Sequence, residues 1–235
     1  MLFRSSYNKP LTVSSAVDSL PAENMTDENI RTYWAAETGD SDEFAVLDME
    51  NVSDVYAVQV NFAEHFSNLF GRQKGLPHRY MVEYSNNTED WTLLIDQSQS
   101  KTDHTHNYHQ LSQPVSCRYL KLSNIKVPDG QFAVSGFRAF GTGHGAKPQP
   151  VTTLNGKRKA GDRRVVHLDW NQSDNATGYV ISCGNDKNKL YNHYMVYQDT
   201  TLSINSLNAG QSYYITIEAF NENGITPGER VMRVD

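Results

Sequence analysis

The chain has 235 residues, 38% of them hydrophobic and 20% charged, a composition of folded protein that excludes a wholly disordered chain. Its net charge of −6 speaks against a general nucleic-acid binder, which needs a basic surface to displace counterions. No apolar run approaches membrane-spanning length, so no membrane insertion is expected, and the length suits two domains of ordinary size.

From the N-terminus, the apolar residues Met1, Leu2 and Phe3 give way at once to polar ones, too short a stretch for a signal peptide. The expected setting is the cytosol, or an extracytoplasmic place reached as part of a longer precursor. Strand signals then dominate. Tyr56, Val58, Val60 and Phe62 alternate with Ala57, Gln59 and Asn61, the period-two pattern of a half-buried strand. Tyr80, Val82 and Tyr84 repeat the pattern, as do Leu120 and Leu122. Trp34 and Trp91 sit among such residues and are expected in the core or at a barrel end. Residues 141–150 hold three glycines and two prolines, which cannot sustain a central strand and predict a linker.

Beyond it, Val166, Leu168 and Trp170 alternate, then Tyr179, Ile181 and Cys183, then Tyr213, Ile215, Ile217 and Ala219. The basic residues Lys157, Arg158, Lys159, Arg163 and Arg164 carry no interleaved aromatics and read as a solvated hairpin loop. Cys117 and Cys183 fall in different predicted domains and are expected as buried thiols, not a disulfide. No long segment has a helical period. Short strands punctuated by turns predict an all-β chain of sandwiches or small barrels, with domains at 1–143 and 150–235 joined by a linker at 144–149.

Catalytic signals are missing. There is no Gly-x-Ser-x-Gly elbow, phosphate loop or His-Glu-x-x-His, and Asp40, Asp42, Glu43, Asp90, Asp96 and Asp103 are scattered through turns. His104, His106 and His109 lack the spacing of the usual zinc sites and read as polar strand and loop histidines. This chain is not expected to be an enzyme by itself.

The first domain resembles the discoidin family, the coagulation-factor C-type or galactose-binding-like jelly-roll. The stretches that carry the likeness are Lys9-Pro10-Leu11-Thr12-Val13, the loop from Asn24 to Trp34, Val46-Leu47-Asp48-Met49, Tyr80 through Trp91, Cys117-Arg118-Tyr119-Leu120 and Val134 through Gly141. The likeness is closest to discoidin modules attached to bacterial family-43-type glycoside hydrolases, which implies a catalytic domain upstream in the same chain and a polysaccharide or oligosaccharide as partner. It also implies a structural calcium in the loop before Trp34, where Asp27, Asn29 and Thr32 stand in the matching places. The acidic residue that the family commonly supplies from its closing strand is replaced by Gly136. The alternative for that loop is closure by side-chain hydrogen bonds alone.

Sugar-binding relatives place an aromatic platform and polar side chains on loops at one end of the barrel. The loop over 64–78 has that inventory, with Phe66, Phe70, Arg72 and His78 as candidates. The competing reading has the two phenylalanines pinning the loop to the core. Residues 150–235 resemble a fibronectin type III domain, through Trp170, the Ala176-to-Ile181 segment, the Leu207-to-Tyr213 corner and the Ile217-to-Gly224 strand and turn. Together these imply a non-catalytic accessory region that binds carbohydrate, with the second domain as spacer. The alternatives are a scaffold that orients an upstream catalytic domain, and an adhesin-type protein-binding module.

Overall fold

The computed structural model describes residues 3–68, 77–102 and 104–235. The chain divides into two compact units, Met1–His144 and Gly145–Asp235.

The first unit contains strands β1 (Phe3–Arg4), β2 (Leu11–Val13), β3 (Trp34–Ala35), β4 (Phe44–Phe62), β5 (Arg79–Ser85), β6 (Thr92–Asp96), β7 (His106–Lys126) and β8 (Ala133–Gly143). All pair antiparallel in the order β1-β8-β4-β7-β5-β6, with β2 added on β4 and β3 on β8. The long strands β4 and β7 shift register between Asp48 and Ser53 and again between Val55 and Ala57. Extra residues at such bulges bend and twist a strand. Both halves of β4 thereby reach one core, Ala45, Leu47 and Met49 from the first and Val55, Val58 and Val60 from the second. The result is a β-sandwich of jelly-roll type. Trp34 is fully buried there, its indole N–H donating to Ser15 O at 3.1 Å and its ring meeting Phe132 edge-on.

The expected alternation holds for Val58, Val60 and Phe62 but not for Tyr56, which is 39% exposed. Tyr56 lies in the second bulge, where one added residue resets which face each side chain takes. Trp91 is half-buried, below a lysine cation from Lys121 at 5.7 Å.

The second unit contains β9 (Leu154–Lys159), β10 (Asp162–Trp170), β11 (Gly178–Gly184), β12 (Asn192–Tyr197), β13 (Thr201–Ile204), β14 (Tyr213–Asn221), β15 (Gly224–Pro227) and β16 (Met232–Val234). One sheet runs β13-β10-β9; the other runs β12-β11-β14-β15, with β16 on β14. Their inner faces close on Val166, Leu168, Trp170, Tyr179, Ile181, Ile215 and Ile217. Trp170 packs edge-on against Tyr179, whose hydroxyl accepts the Ser173 N–H at 2.9 Å. The Tyr213 hydroxyl accepts the Asn208 N–H at 3.2 Å across the preceding corner. Cys117 and Cys183 are buried free thiols, one in each unit, and burial raises the pKa of both. Among the described residues no helix is long and apolar enough to cross a membrane.

Candidate functional site

Where β4 ends at Phe62, the chain leaves the sheet but stays tied to it. Ala63 N–H donates to Ala133 O, and His65 bridges to Gln131, whose N–H donates to His65 O at 3.0 Å. The Asp129 carboxylate then takes the Asn68 N–H at 2.6 Å, holding the segment after Phe66. This close approach requires Gly130, which has φ +74° and where a Cβ would sit 2.2 Å from His65 O. Phe66 is caught between these anchors with φ 49°, a left-handed conformation rare for a bulky residue, and the residue is 73% exposed.

Polar groups tied to the framework lie beside that ring. His65 stacks obliquely on Phe66 with centroids 4.4 Å apart, and its Nδ1 bonds the Tyr33 hydroxyl at 3.0 Å. Gln131 donates from Nε2 to Glu37 O at 2.6 Å. Among the described residues, His65 Nε2 and Gln131 Oε1 are buried without a partner. Both atoms are closed off from solvent.

Behind this shelf stands a buried carboxylate. Glu43, 5% exposed, receives the Ser14 hydroxyl, the Ser15 hydroxyl at 2.8 Å, the Thr38 hydroxyl at 2.7 Å and the Thr38 N–H at 3.2 Å. Burial pushes its pKa up, but the hydrogen bonds from Ser14, Thr38 and Ser15 outweigh that and hold it below the ordinary value of 4.5.

Of the residues expected to meet sugar, Phe66 is open to solvent, while Phe70 and Arg72 lie outside the described residues. His78 is corrected to an interior position. It is 7% exposed, with its ring stacked on Phe62 at 4.1 Å and 6°. Its imidazole is amphipathic and closes the top of the core where β5 begins. Tyr33, His65, Gln131 and Glu43 were not singled out by the sequence, although His65 adjoins Phe66 and the Pro128-Asp129-Gly130 turn signals a tight reversal beside it. His104 and His106 are exposed, whereas the His109 Nε2 bonds the buried Tyr80 hydroxyl at 2.7 Å.

Asp27, Asn29 and Thr32 do come together. One Asp27 oxygen accepts the Asn29 N–H at 2.8 Å, the other accepts the Thr32 hydroxyl at 2.6 Å, and Asn29 Oδ1 accepts the Arg31 N–H at 3.1 Å. Calcium takes about six to eight oxygen ligands, drawn from carboxylates, carbonyls and waters. Asp27 is the loop carboxylate left for that purpose, because the neighbouring Glu28 carboxylate is held by the Arg138 guanidinium with Nε 3.0 Å from both oxygens. Position 136 supplies no side chain, and a Cβ there would lie 2.4 Å from Arg138 Nη1. The loop's second carboxylate is thus committed to Arg138, and the closing strand adds no acidic side chain at 136.

The family model for the F5/8 type C domain matches residues 10–136. No curated protein matches the chain. Among solved structures the chain is similar to CpGH89CBM32-6 of Clostridium perfringens, with 16% identity and a TM-score of 0.48 over 59% of this chain and 99% of that one. It is also similar to the family 32 CBM of C. perfringens NanJ in complex with galactose, at 14% identity and TM-score 0.48 over 59% and 97%. A third is chitosan-binding module 1 from a chitosanase/glucanase of Paenibacillus sp. IK-5, at 17% identity and TM-score 0.47 over 58% and 98%. The family match spans more than half of the 235 residues, and the chain belongs to the F5/8 type C domain family.

Proposed function

We propose that this chain is a non-catalytic region that binds an oligosaccharide or polysaccharide through its first unit. The observation that carries the reading is Phe66, a bulky apolar ring held open to solvent on left-handed backbone beside His65 and Gln131. A sugar offers a C–H face for such a ring, and backbone strain persists only where the surroundings over-determine it. Extending this reading, the second unit is a fibronectin type III-like spacer, supported by the Tyr213 hydroxyl capping Asn208 and by Trp170 in the core. The parent is a secreted glycoside hydrolase with its catalytic domain upstream in the same chain.

The test is calorimetric titration of the chain with galactose, N-acetylglucosamine-α-1,4-galactose and chitosan oligomers, followed by a wider glycan array. Phe66→Ala removes a ring that supports nothing in the core. It is expected to weaken the bound sugar about tenfold, on the scale of one aromatic contact, with an unchanged melting temperature. Binding that survives Phe66→Ala intact refutes the shelf. No binding to any glycan refutes sugar recognition and leaves the scaffold reading.

A further inference from the structure

The loop that leads into β3 carries a built-in cation. Glu28 has φ 60°, a strained setting for a side chain of its size, and its carboxylate is turned inward. Arg138 on β8 places Nε 3.0 Å from Glu28 Oε1 and 3.0 Å from Oε2, and Arg4 on β1 places Nη1 2.6 Å from Oε2. The Arg138 and Glu28 side chains are only 10% and 17% exposed. All three atoms nearest to a Cβ built at Gly136 belong to the Arg138 guanidinium, the closest at 2.4 Å. The guanidinium therefore fills the space into which a residue at 136 would project.

We propose that the Arg138–Glu28–Arg4 cluster replaces a metal ion as the tie between the 27–32 loop and the closing strand, so that the first unit folds and functions without calcium. The charge logic is direct. A dication is drawn to anionic oxygens among its ligands, and this site instead gathers two guanidinium groups on its second carboxylate. Arginine keeps its charge at any accessible pH and presents a rigid fork of donors, so the cationic half of the tie cannot be removed by a chelator. Asp27 is left to close its own loop by accepting from Asn29 and Thr32. The position of Gly136 follows from the same arrangement, since any larger residue there would displace Arg138.

The experiment uses the full chain and compares wild type, Arg138→Met, Glu28→Gln and the double variant by calorimetry, in EDTA and in millimolar calcium chloride. Wild type is expected to melt at the same temperature in both solutions and to give no calcium-binding heat. Arg138→Met is expected to melt about 5–10 °C lower, as for the loss of one partner from a largely buried ion pair. Glu28→Gln, the milder change, is expected to fall by less. The double variant is expected to lose less than the two single shifts added together, since both remove one contact. Calcium uptake by wild type, with a melting temperature that rises in calcium and falls back in EDTA, overturns the proposal. So does strict additivity of the two variants.

Discussion

Replacing Glu43 by glutamine tests how the first unit holds its site end. The three hydroxyls around Glu43 have their directions fixed, because each accepts a backbone N–H: Ser14 Oγ from Phe44, Ser15 Oγ from Glu37 and Thr38 Oγ1 from Asp40. Each then sends its own proton to the carboxylate. Glutamine keeps one acceptor oxygen and turns the other position into a donor that faces committed donors. A hydrogen bond to a charged group contributes about 1.5–3 kcal/mol, and a buried group left unpaired costs a similar amount. Losing roughly one such bond net predicts about 2–3 kcal/mol, or about 5–10 °C in the melting of a unit this size. The pH dependence has a definite sign. The folded carboxyl lies below its ordinary 4.5, so its contribution is complete above that value and is lost as pH falls through the folded pKa. Differential scanning calorimetry of wild type and Glu43→Gln should show the full gap at neutral pH and a closing gap in acid. Equal melting at neutral pH, or a gap that does not change in acid, refutes the reasoning.

Gly130→Ala should be among the most damaging small substitutions, since the new Cβ meets the His65 carbonyl at 2.2 Å on backbone with φ +74°. A loss of at least about 1–2 kcal/mol is expected in the first unit, measured by urea titration, together with loss of sugar binding. Tyr213→Phe removes the acceptor of the Asn208 N–H. It should lower stability by about 1 kcal/mol, and hydrogen exchange should localise the change to the second unit while the first is untouched.

The core was legible because burial imposes a period. Val58, Val60, Tyr80, Val82, Leu120 and Leu122 stand where strict alternation puts them, all at 1% exposure or less. Tyr56 was misplaced because a bulge inserts a residue, and nothing in the local sequence marks that insertion. The site end was harder for a related reason. Phe66 could be picked out as an aromatic in a long polar loop. Its neighbours Tyr33 and Gln131 come from segments 33 and 65 residues away in sequence and meet His65 only through the pairing of distant strands. His78 illustrates the reverse failure, because an imidazole reads as polar in a sequence yet packs flat on Phe62 as a ring. The Glu28–Arg138 pair joins residues 110 apart, a distance at which sequence spacing carries no signal.

These long-range ties bear on how the shelf would work. Glu37 is clamped on both sides of its backbone, its N–H given to Ser15 Oγ at 2.9 Å and its carbonyl taken by the Gln131 amide at 2.6 Å. Ser15 in turn is oriented by Glu43. The Gln131 amide therefore has one rotamer, with Nε2 spent on Glu37 and Oε1 unspent. Tyr33 fixes His65 in the same way, through Nδ1, and leaves Nε2. Each polar group beside Phe66 is thus held by one bond to the framework. A ring that stands on so fixed a framework loses little conformational freedom when a ligand arrives, so more of its contact is realised as affinity. A loop free to rearrange would have to be ordered first. The strained φ of Phe66 fits the same scheme, because the Gly130 and Asp129 contacts on either side of it fix where the ring can stand.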